Sequence, residues 1–313
     1  TRGMGALEFQ PALSRVRKAQ KIEVNELARL ATEVLRDREA FQASFDDRKR
    51  AFHDILQVGS SAGGARPKAV IAWNRETNEV YSGQVDAPEG FEHWLLKFDS
   101  IKDGKSYGRL EYAYYLMAKA AGIAMNESRL LQDGDMAHFM TRRFDRVNGE
   151  KIHVQTLCAL GHLNYNDPLA NSYEQAFEVV EKLHLLPAEK NQMFRRMVFN
   201  AVTRNHDDHA KNISFLMNQD GVWSLAPAYD VVWAYKPGAK WTGQHQMSIN
   251  GKRDHFIRND FLQLAKHFDI AKAGEIIRNI CKTAKSFGDF AKEAGVTPAI
   301  TNQMIPEFRT KLE

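Results

Sequence analysis

The sequence predicts a two-lobed α+β fold, with a strand-containing N-terminal lobe and a helix-rich C-terminal lobe. Short runs rich in β-branched and aromatic residues lie in the first half of the chain, at 69–73, 93–98 and 138–144. From residue 173 onward, apolar residues recur at helical spacing instead. The 313 residues are enough for two separate cores. We therefore expect a first domain at 1–150 and a second at 151–313.

Local patterns predict the elements of the first domain in order. Apolar residues at helical spacing indicate an amphipathic helix at 22–35. The segment 58–68 holds three glycines, two serines and a proline, so it is predicted to be a loop. A helix is expected after Gly108, and Gly122 is placed to end it, because glycine tolerates the left-handed conformation common at helix C-termini.

The second domain is predicted to contain one hairpin among its helices. Asp220 and Gly221 lie between two short apolar runs, 213–217 and 222–225. An Asp-Gly pair in that position is typical of a β-hairpin. The rest of the domain, from residue 259, is predicted to consist of helices with short breaks.

Composition and charge set broad limits on function. The apolar fraction of 43% and the charged fraction of 26% are ordinary for a globular protein. The net charge of +4 slightly favours an anionic ligand or partner. Cys158 and Cys281 stand in no metal-binding spacing and are expected to be free thiols. The sequence has no apolar run long enough for a membrane span and no leader, so we expect a cytoplasmic protein with no membrane partner.

The most informative run is the polar stretch 204–213, between a predicted helix and the hairpin. Asp207 precedes Asn212 by five residues, as in the catalytic loops of protein kinases. In such a loop the carboxylate accepts the proton of the substrate hydroxyl, and the amide oxygen binds Mg²⁺. The hairpin then leads to Asp230, which is expected to be a second magnesium ligand. Lys211 is expected either to contact the γ-phosphate of ATP or to be solvated.

Further signals lie in the N-terminal lobe, in the order found in kinases. Lys97 is alone in an apolar strand, and Glu111 at the start of the next helix is its natural partner in holding ATP phosphates. The backbone of Gly63, Gly64 and Ala65 can approach phosphate oxygens closely. Each signal also has an ordinary explanation, namely an exposed strand-edge lysine, a carboxylate serving the helix dipole, and a plain turn. Their order along the chain favours an ATP- and Mg²⁺-dependent phosphotransferase.

These motifs together resemble those of a known family. The matching residues extend over nearly the whole chain, at 3–11, 61–68, 94–97, 111, 143–146, 205–212 and 225–230. In this order they are similar to the HipA family, the serine/threonine kinase toxins of bacterial HipA–HipB toxin–antitoxin modules. The resemblance implies a protein-kinase-like, HipA-like fold with ATP and Mg²⁺ as cofactors.

The resemblance implies a role for each matching residue in the C-terminal lobe. Asp207 would be the catalytic base, with Lys211 beside it. Asn212 and Asp230 would hold Mg²⁺.

The resemblance also assigns residues of the N-terminal lobe. Lys97 would contact ATP, and the hinge that meets adenine through its backbone would be the end of a strand, including Arg142 and Phe144. In the Gly-rich loop Ser61, with Ser60 as a neighbouring candidate, would be the site of an autophosphorylation that ejects the loop and silences the kinase.

Partners are implied as well. Characterised family members phosphorylate aminoacyl-tRNA synthetases, and a HipB-like helix-turn-helix antitoxin neutralises them. Contact with DNA would therefore be only indirect, through the antitoxin. Full-length members carry a small N-terminal subdomain before the segment that matches 3–11, and we expect it to have been trimmed here or to be supplied by a separate small protein.

Three other functions remain open from the sequence. His206, Asp207, Asp208 and His209 could form the metal cluster of a phosphohydrolase. The chain could instead be a non-catalytic module that only binds an antitoxin or DNA. A small-molecule kinase would use a similar catalytic loop, because the loop does not specify which hydroxyl it serves.

Overall fold

The computed structural model describes residues 3–8, 21–29, 66–83, 87–99, 101–102, 105–167 and 169–312. The chain divides into two compact units. Unit 1 comprises Thr1–Gly108 with Asn126–His153, and unit 2 comprises Arg109–Met125 with Val154–Glu313. Residues 109–125, which the sequence places in the first domain, thus group with unit 2.

Unit 1 is built on an antiparallel sheet with the described strands β1 (Lys68–Asn74), β2 (Val80–Ser82), β3 (Phe91–Lys97), β6 (Ser128–Asp133) and β7 (Met136–Arg142). Their order in the sheet is β2-β1-β3-β7-β6. Two small ladders accompany the sheet, one of β4 (Ile101–Lys102) with β5 (Lys105–Ser106) and one of β8 (Arg146–Val147) with β9 (Glu150–Lys151). The predicted strands at 69–73 and 93–98 are confirmed, and the one predicted at 138–144 ends two residues early, at Arg142.

One apolar cluster holds the sheet of unit 1 together. Trp73 and Trp94 pack edge to face with ring centroids 5.5 Å apart, a favoured geometry for aromatic pairs. Leu27 is fully buried in the same cluster, and it belongs to the helical residues 24–29. Within the helix predicted at 22–35, residues 24–29 are helical, and Leu27 packs on the sheet.

Within unit 1, the segment at residues 3–8 is held by a hydrogen bond to a buried ion pair. The carboxylate of Asp145 accepts hydrogen bonds from the backbone N–H of Gly5 at 2.6 Å and from Arg143 at 2.7 and 2.8 Å. Arg146 lies 3.1 Å from the same carboxylate. Burial raises the pKa of Asp145, but the hydrogen bond and charge of Arg143 outweigh burial and hold the pKa below its usual range. Asp145 therefore remains charged and keeps this segment in place.

Asp99, just after β3, fixes the start of the following helix. Its carboxylate accepts hydrogen bonds from the hydroxyl of Ser106 at 2.7 Å and from the backbone N–H of Gly108 at 3.1 Å. Gly108 lies so close to β7 that an added Cβ would come within 1.9 Å of the carbonyl oxygen of Ala137. Only glycine fits this position, because the obstructing atom belongs to the backbone of a sheet strand.

Unit 2 is predominantly helical, as predicted. Its described helices are α1 (Tyr107–Ala120, which begins at the end of unit 1), α2 (Leu157–Leu160), α3 (Tyr173–Lys182), α4 (Pro187–Thr203), α5 (Arg258–His267), α6 (Ala273–Lys285), α7 (Phe287–Glu293) and α8 (Pro298–Met304). Short 3₁₀ turns span Ala210–Asn212 and Ile305–Glu307. None of the described helices has the length and apolar character needed to cross a membrane.

The strands of unit 2 are short and include the predicted hairpin. One sheet contains β10 (His153–Thr156), β12 (Ser214–Met217) and β13 (Trp223–Leu225), with β12 in the centre. Strand β11 (Asn171–Ser172) pairs in parallel with β14 (Met247–Ser248). Gly221 has φ +78° in the turn between β12 and β13, which explains the Asp-Gly signal there.

Aromatic rings on separate helices form the core of unit 2. The ring of Tyr114 in α1 lies 6.3 Å from that of Phe199 in α4 and 5.5 Å from that of Phe287 in α7. The buried hydroxyl of Tyr114 donates a 2.6 Å hydrogen bond to the carbonyl oxygen of Thr203. Helix α4, whose end leads into the polar stretch 204–213, is thereby fixed against α1.

We predict that Gly108→Ala destabilises the protein by about 3 kcal/mol, the scale of a forced shift in a packed core. Gly288→Ala is the matched control, because Gly288 is also the second residue of a helix and an added Cβ there would meet only the end of the Ile305 side chain at 3.9 Å. Denaturant unfolding of both variants measures the difference. Equal stability of the two variants would contradict the proposed close contact.

Candidate active site

The polar stretch after α4 begins at a residue that turns the chain sharply. Arg204 caps α4 in the left-handed conformation, with φ 61° and ψ 37°. Its buried guanidinium donates hydrogen bonds to both carboxylate oxygens of Asp254 at 2.8 and 2.9 Å and lies 3.9 Å from the ring centroid of Tyr235. Burial raises the pKa of Asp254, but the hydrogen bond from Arg204 outweighs burial and lowers the pKa below its usual range. The loop thus starts from a rigid, charged anchor.

Asp208 is the buried centre of the loop. Its carboxylate accepts hydrogen bonds from the hydroxyl of Tyr173 at 3.0 Å and from the backbone N–H of Gln246 at 2.8 Å. It also lies 2.9 Å from Nδ1 of His245, which donates to it in the tautomer that carries its proton on Nδ1. These three donors come from α3 and from the segment before β14, so Asp208 joins its own loop to two distant stretches of the chain.

Asp207, the predicted base, faces the opposite way from Asp208. Its side chain is 48% exposed, whereas that of Asp208 is fully buried. The side-chain amide of Gln246 donates a 2.9 Å hydrogen bond to Oδ1 of Asp207, and Nε2 of His209 lies 3.7 Å from the same oxygen. The loop therefore presents one carboxylate outward and uses the next as its internal anchor.

Hydrogen bonds fix the surroundings of Asn212 and Asp230, the predicted metal ligands. The side-chain amide of Asn212 donates a 2.8 Å hydrogen bond to the backbone carbonyl of Asp207. Next to Asp230, the buried hydroxyl of Tyr229 donates a 2.7 Å hydrogen bond to the carbonyl of Lys211 and lies 2.6 Å from the hydroxyl of Ser214. Burial raises the pKa of Tyr229 well above its usual range, so its hydroxyl keeps its proton.

One cavity in unit 2 is lined by both Asn212 and Asp230. Asp230 takes the left-handed backbone conformation with φ 54°, a strained arrangement for a non-glycine residue that is often found at functional sites. An amide oxygen and a carboxylate are the hard oxygen ligands that Mg²⁺ prefers, and Mg²⁺ commonly takes only one or two protein ligands alongside phosphate oxygens. The pair therefore fits a magnesium site that a bound nucleotide would complete.

Lys211 points to an aromatic ring. Its ammonium lies 3.3 Å from the ring centroid of Tyr165, a cation–π arrangement. The ring of His209 lies 6.2 Å from that of Tyr165. Lys211 is partly exposed in this position, and its expected contact with the γ-phosphate stays a prediction.

In unit 1, Lys97 is the last residue of the central strand β3 and is buried. Its ammonium lies 5.7 Å from the ring centroid of Phe139 on β7. The explanation of Lys97 as an exposed edge lysine is therefore wrong. Glu111 does not open its helix, because α1 begins at Tyr107 and Glu111 lies buried in the second turn.

The hinge residues have defined surroundings in unit 1. The backbone N–H of Arg142 donates to the carbonyl of Glu127 at 2.8 Å, and its carbonyl accepts from the side chain of Asn126 at 3.0 Å. Adenine recognition through the Arg142 backbone would therefore compete with these bonds, and the role of Phe144 stays a prediction. The other predicted residues, Ser60, Ser61, Gly63, Gly64 and Ala65, lie outside the described part of the chain.

The residues 206–209 do not form a metal cluster. His206 is buried, with its ring centroid 4.0 Å from that of His245 and 5.0 Å from that of Tyr235. Asp208 is engaged by the three donors described above. Across the described ranges, no group of three or more His, Cys, Asp or Glu side chains is placed to hold a metal ion. Residues 206–209 therefore do not supply the metal ligands that the phosphohydrolase alternative requires.

Sequence reasoning missed the residues that fix the loop. Tyr173, His245 and Gln246 belong to no recognised motif, and each meets the loop only after folding. The sequence offers only a weak indication of this role for His245 and Gln246, because they are simply two polar residues immediately before the short buried strand β14.

We predict that His206 makes the protein acid-sensitive. Burial first, and then the nearby His245 and Arg204, lower the pKa of His206 from 6.5 to about 3. Between these values the unfolded chain binds a proton that the folded chain does not, so stability falls as pH falls, by about 1.4 kcal/mol per pH unit. Measured between pH 7 and pH 5, the unfolding free energy of His206→Asn should decline less steeply than that of the wild type, by about 2 kcal/mol in total.

The exposed His184, replaced by asparagine, is the control for this measurement. His184→Asn should keep the wild-type pH dependence. An unchanged slope in His206→Asn would contradict the assignment of the acid sensitivity to His206.

Comparison with known proteins identifies the family. A family model described as the HipA-like C-terminal domain matches residues 60–287. A Haemophilus influenzae protein described as "Putative kinase" is 29% identical over 194 residues, 56% of this chain and 53% of the relative, so the match spans about half the length of that protein.

Two solved structures are also similar to the chain. A chain of the Shewanella oneidensis MR-1 toxin–antitoxin complex of HipA, HipB and operator DNA matches with a TM-score of 0.64 and 17% identity, covering 99% of this chain and 74% of that chain. The Helicobacter pylori proinflammatory kinase CtkA matches with a TM-score of 0.46 and 14% identity, covering 71% of this chain and 88% of that chain. The first similarity confirms the predicted α+β, HipA-like fold. Because the family model matches well over half of the chain, the protein belongs to the HipA-like C-terminal domain family.

Proposed function

We propose that the protein is a magnesium- and ATP-dependent kinase that transfers the γ-phosphoryl group to a serine or threonine hydroxyl. One observation carries the proposal: a single loop presents the carboxylate of Asp207 outward and bonds its backbone to Asn212, which lines a cavity together with Asp230. Family membership and the kinase description of the Haemophilus influenzae relative support it.

Each residue has a distinct task in the proposed reaction. Asp207 orients the acceptor hydroxyl and takes its proton as the oxygen attacks the γ-phosphorus, while the bond from that phosphorus to the β–γ bridging oxygen breaks and ADP leaves. Asn212 and Asp230 would hold Mg²⁺, which when bound neutralises charge on the phosphates. Lys97 is proposed to contact the phosphates of ATP, because its place in the motif 94–97 matches that of the ATP-binding lysine in the family it resembles.

Lys211 has a role only if it leaves Tyr165. In its described position the ammonium lies over that ring. A cation close to the transferring phosphoryl group would stabilise its developing charge. We propose that a bound nucleotide draws Lys211 from the ring towards the γ-phosphate.

The family resemblance also suggests a biological role for the protein. We propose that the protein is the toxin of a toxin–antitoxin module and that a HipB-like helix-turn-helix antitoxin binds it. The support is the fold similarity to a chain of the Shewanella oneidensis complex, which contains HipA, HipB and operator DNA. The proposed substrate is a translation component such as an aminoacyl-tRNA synthetase, and Ser60 or Ser61 is the proposed autophosphorylation site.

The direct test is incubation of the purified chain with Mg·ATP, followed by intact mass and peptide mapping. We expect the wild type to gain phosphate at Ser60 or Ser61. Asp207→Gln should gain none, because the base is lost, and should still bind ATP. Asp220→Asn is the control, since Asp220 is an exposed carboxylate in the hairpin turn.

The same variants test the biological role. Expression of the wild type and of Asp220→Asn in a bacterial host should arrest growth, whereas Asp207→Gln should not. Phosphate incorporation by Asp207→Gln at the wild-type level would overturn the kinase mechanism. Phosphate incorporation without growth arrest would overturn the toxin role alone.

A further inference from the structure

Gln246 links the two functional carboxylates of the loop. Its side-chain Nε2 donates a 2.9 Å hydrogen bond to Oδ1 of Asp207. Its backbone N–H donates a 2.8 Å hydrogen bond to Oδ1 of Asp208. One residue, 39 positions from Asp207 in sequence, thus contacts both the proposed base and the buried anchor of the loop.

Gln246 is itself held rigidly. It is buried, with 3% of its surface exposed. The guanidinium of Arg253 donates a hydrogen bond to its backbone carbonyl. Strand β14 begins at the next residue, where Met247 pairs with Asn171 of β11. A buried amide on a fixed backbone has few alternative positions, so its hydrogen bond constrains the more exposed partner.

The hydrogen bond from Gln246 constrains the orientation of Asp207. Its side chain is 48% exposed, and an exposed aspartate rotates freely about its side-chain bonds unless a hydrogen bond fixes it. A bond to Oδ1 sets the plane of the carboxylate and thereby the direction in which Oδ2 points. Catalytic groups must be held close to their productive geometry, and small misplacements lower rates strongly.

We propose that Gln246 is a positioning residue for phosphoryl transfer, holding Oδ1 of Asp207 so that the carboxylate faces the acceptor hydroxyl. The inference rests on the proposed kinase function. A neutral amide suits this task, because it orients the carboxylate without placing a full positive charge on the base. No bond of Gln246 is made or broken in the reaction.

The test uses two replacements of similar size in the 313-residue chain. Gln246→Met removes the donor and keeps the volume, and Gln246→Glu places a second carboxylate against Asp207. Gln244→Met is the matched control, because Gln244 is an exposed glutamine in the same segment. The measured quantities are the rate of phosphate incorporation at saturating Mg·ATP, the ATP concentration giving half that rate, and the thermal unfolding midpoint.

We expect Gln246→Met to lower the saturated rate by about 10- to 100-fold, the scale of a misplaced catalytic group. The half-saturating ATP concentration should stay within about twofold of wild type, because Gln246 acts on the base and not on nucleotide binding. Gln246→Glu should lower the saturated rate further, because its carboxylate repels that of Asp207. Gln244→Met should match the wild type in all three quantities.

The outcomes separate this inference from the kinase proposal. If Asp207→Gln abolishes incorporation but a folded Gln246→Met or Gln246→Glu stays within about twofold of wild type, the positioning role is wrong. The positioning role is also wrong if the rate falls only together with an equal rise in the half-saturating ATP concentration. Should Gln246→Met fail to fold, the rate of the closely isosteric Gln246→Glu decides whether the positioning role holds. Retained incorporation by Asp207→Gln would instead refute the kinase proposal itself.

Discussion

The geometry of the candidate site depends on the buried carboxylate of Asp208. A charge removed from water is strongly unfavourable unless several donors surround it. Three donors do so here, the hydroxyl of Tyr173, Nδ1 of His245 and the backbone N–H of Gln246. Because they come from α3 and from the segment before β14, the charge can be satisfied only when these stretches have assembled. Formation of the loop is thereby tied to folding of unit 2.

The buried Asp208 also explains how one short loop can be rigid and still present an exposed carboxylate. Adjacent side chains point in opposite directions, so burying Asp208 turns Asp207 outward. The amide of Asn212 bonds to the backbone of Asp207, and Tyr229 bonds to the carbonyl of Lys211, which brings Asp230 alongside. The exposed base and the two proposed metal ligands are therefore positioned by backbone contacts as well as by their own side chains.

The sequence predicted the parts of this arrangement that are local. The spacing of Asp207 and Asn212 and the Asp-Gly hairpin leading to Asp230 are set by nearby residues, so pattern reasoning could find them. It could not find the contacts of Gln246, 39 residues from Asp207, because no local periodicity encodes which distant amide reaches a loop. The grouping of residues 109–125 with unit 2 was missed for a similar reason, since it depends on long-range packing of rings such as Tyr114 against Phe199 and Phe287.

The rate of phosphate incorporation by Asp208→Asn at saturating Mg·ATP tests the central claim most directly. Asparagine keeps the shape of the side chain but removes the charge and turns one acceptor into a donor facing other donors. If the buried carboxylate holds the loop, the rate should fall by more than about 100-fold at a temperature where the variant is folded, although Asp207 is intact. A folded Asp208→Asn that incorporates phosphate within about threefold of the wild-type rate would contradict the account.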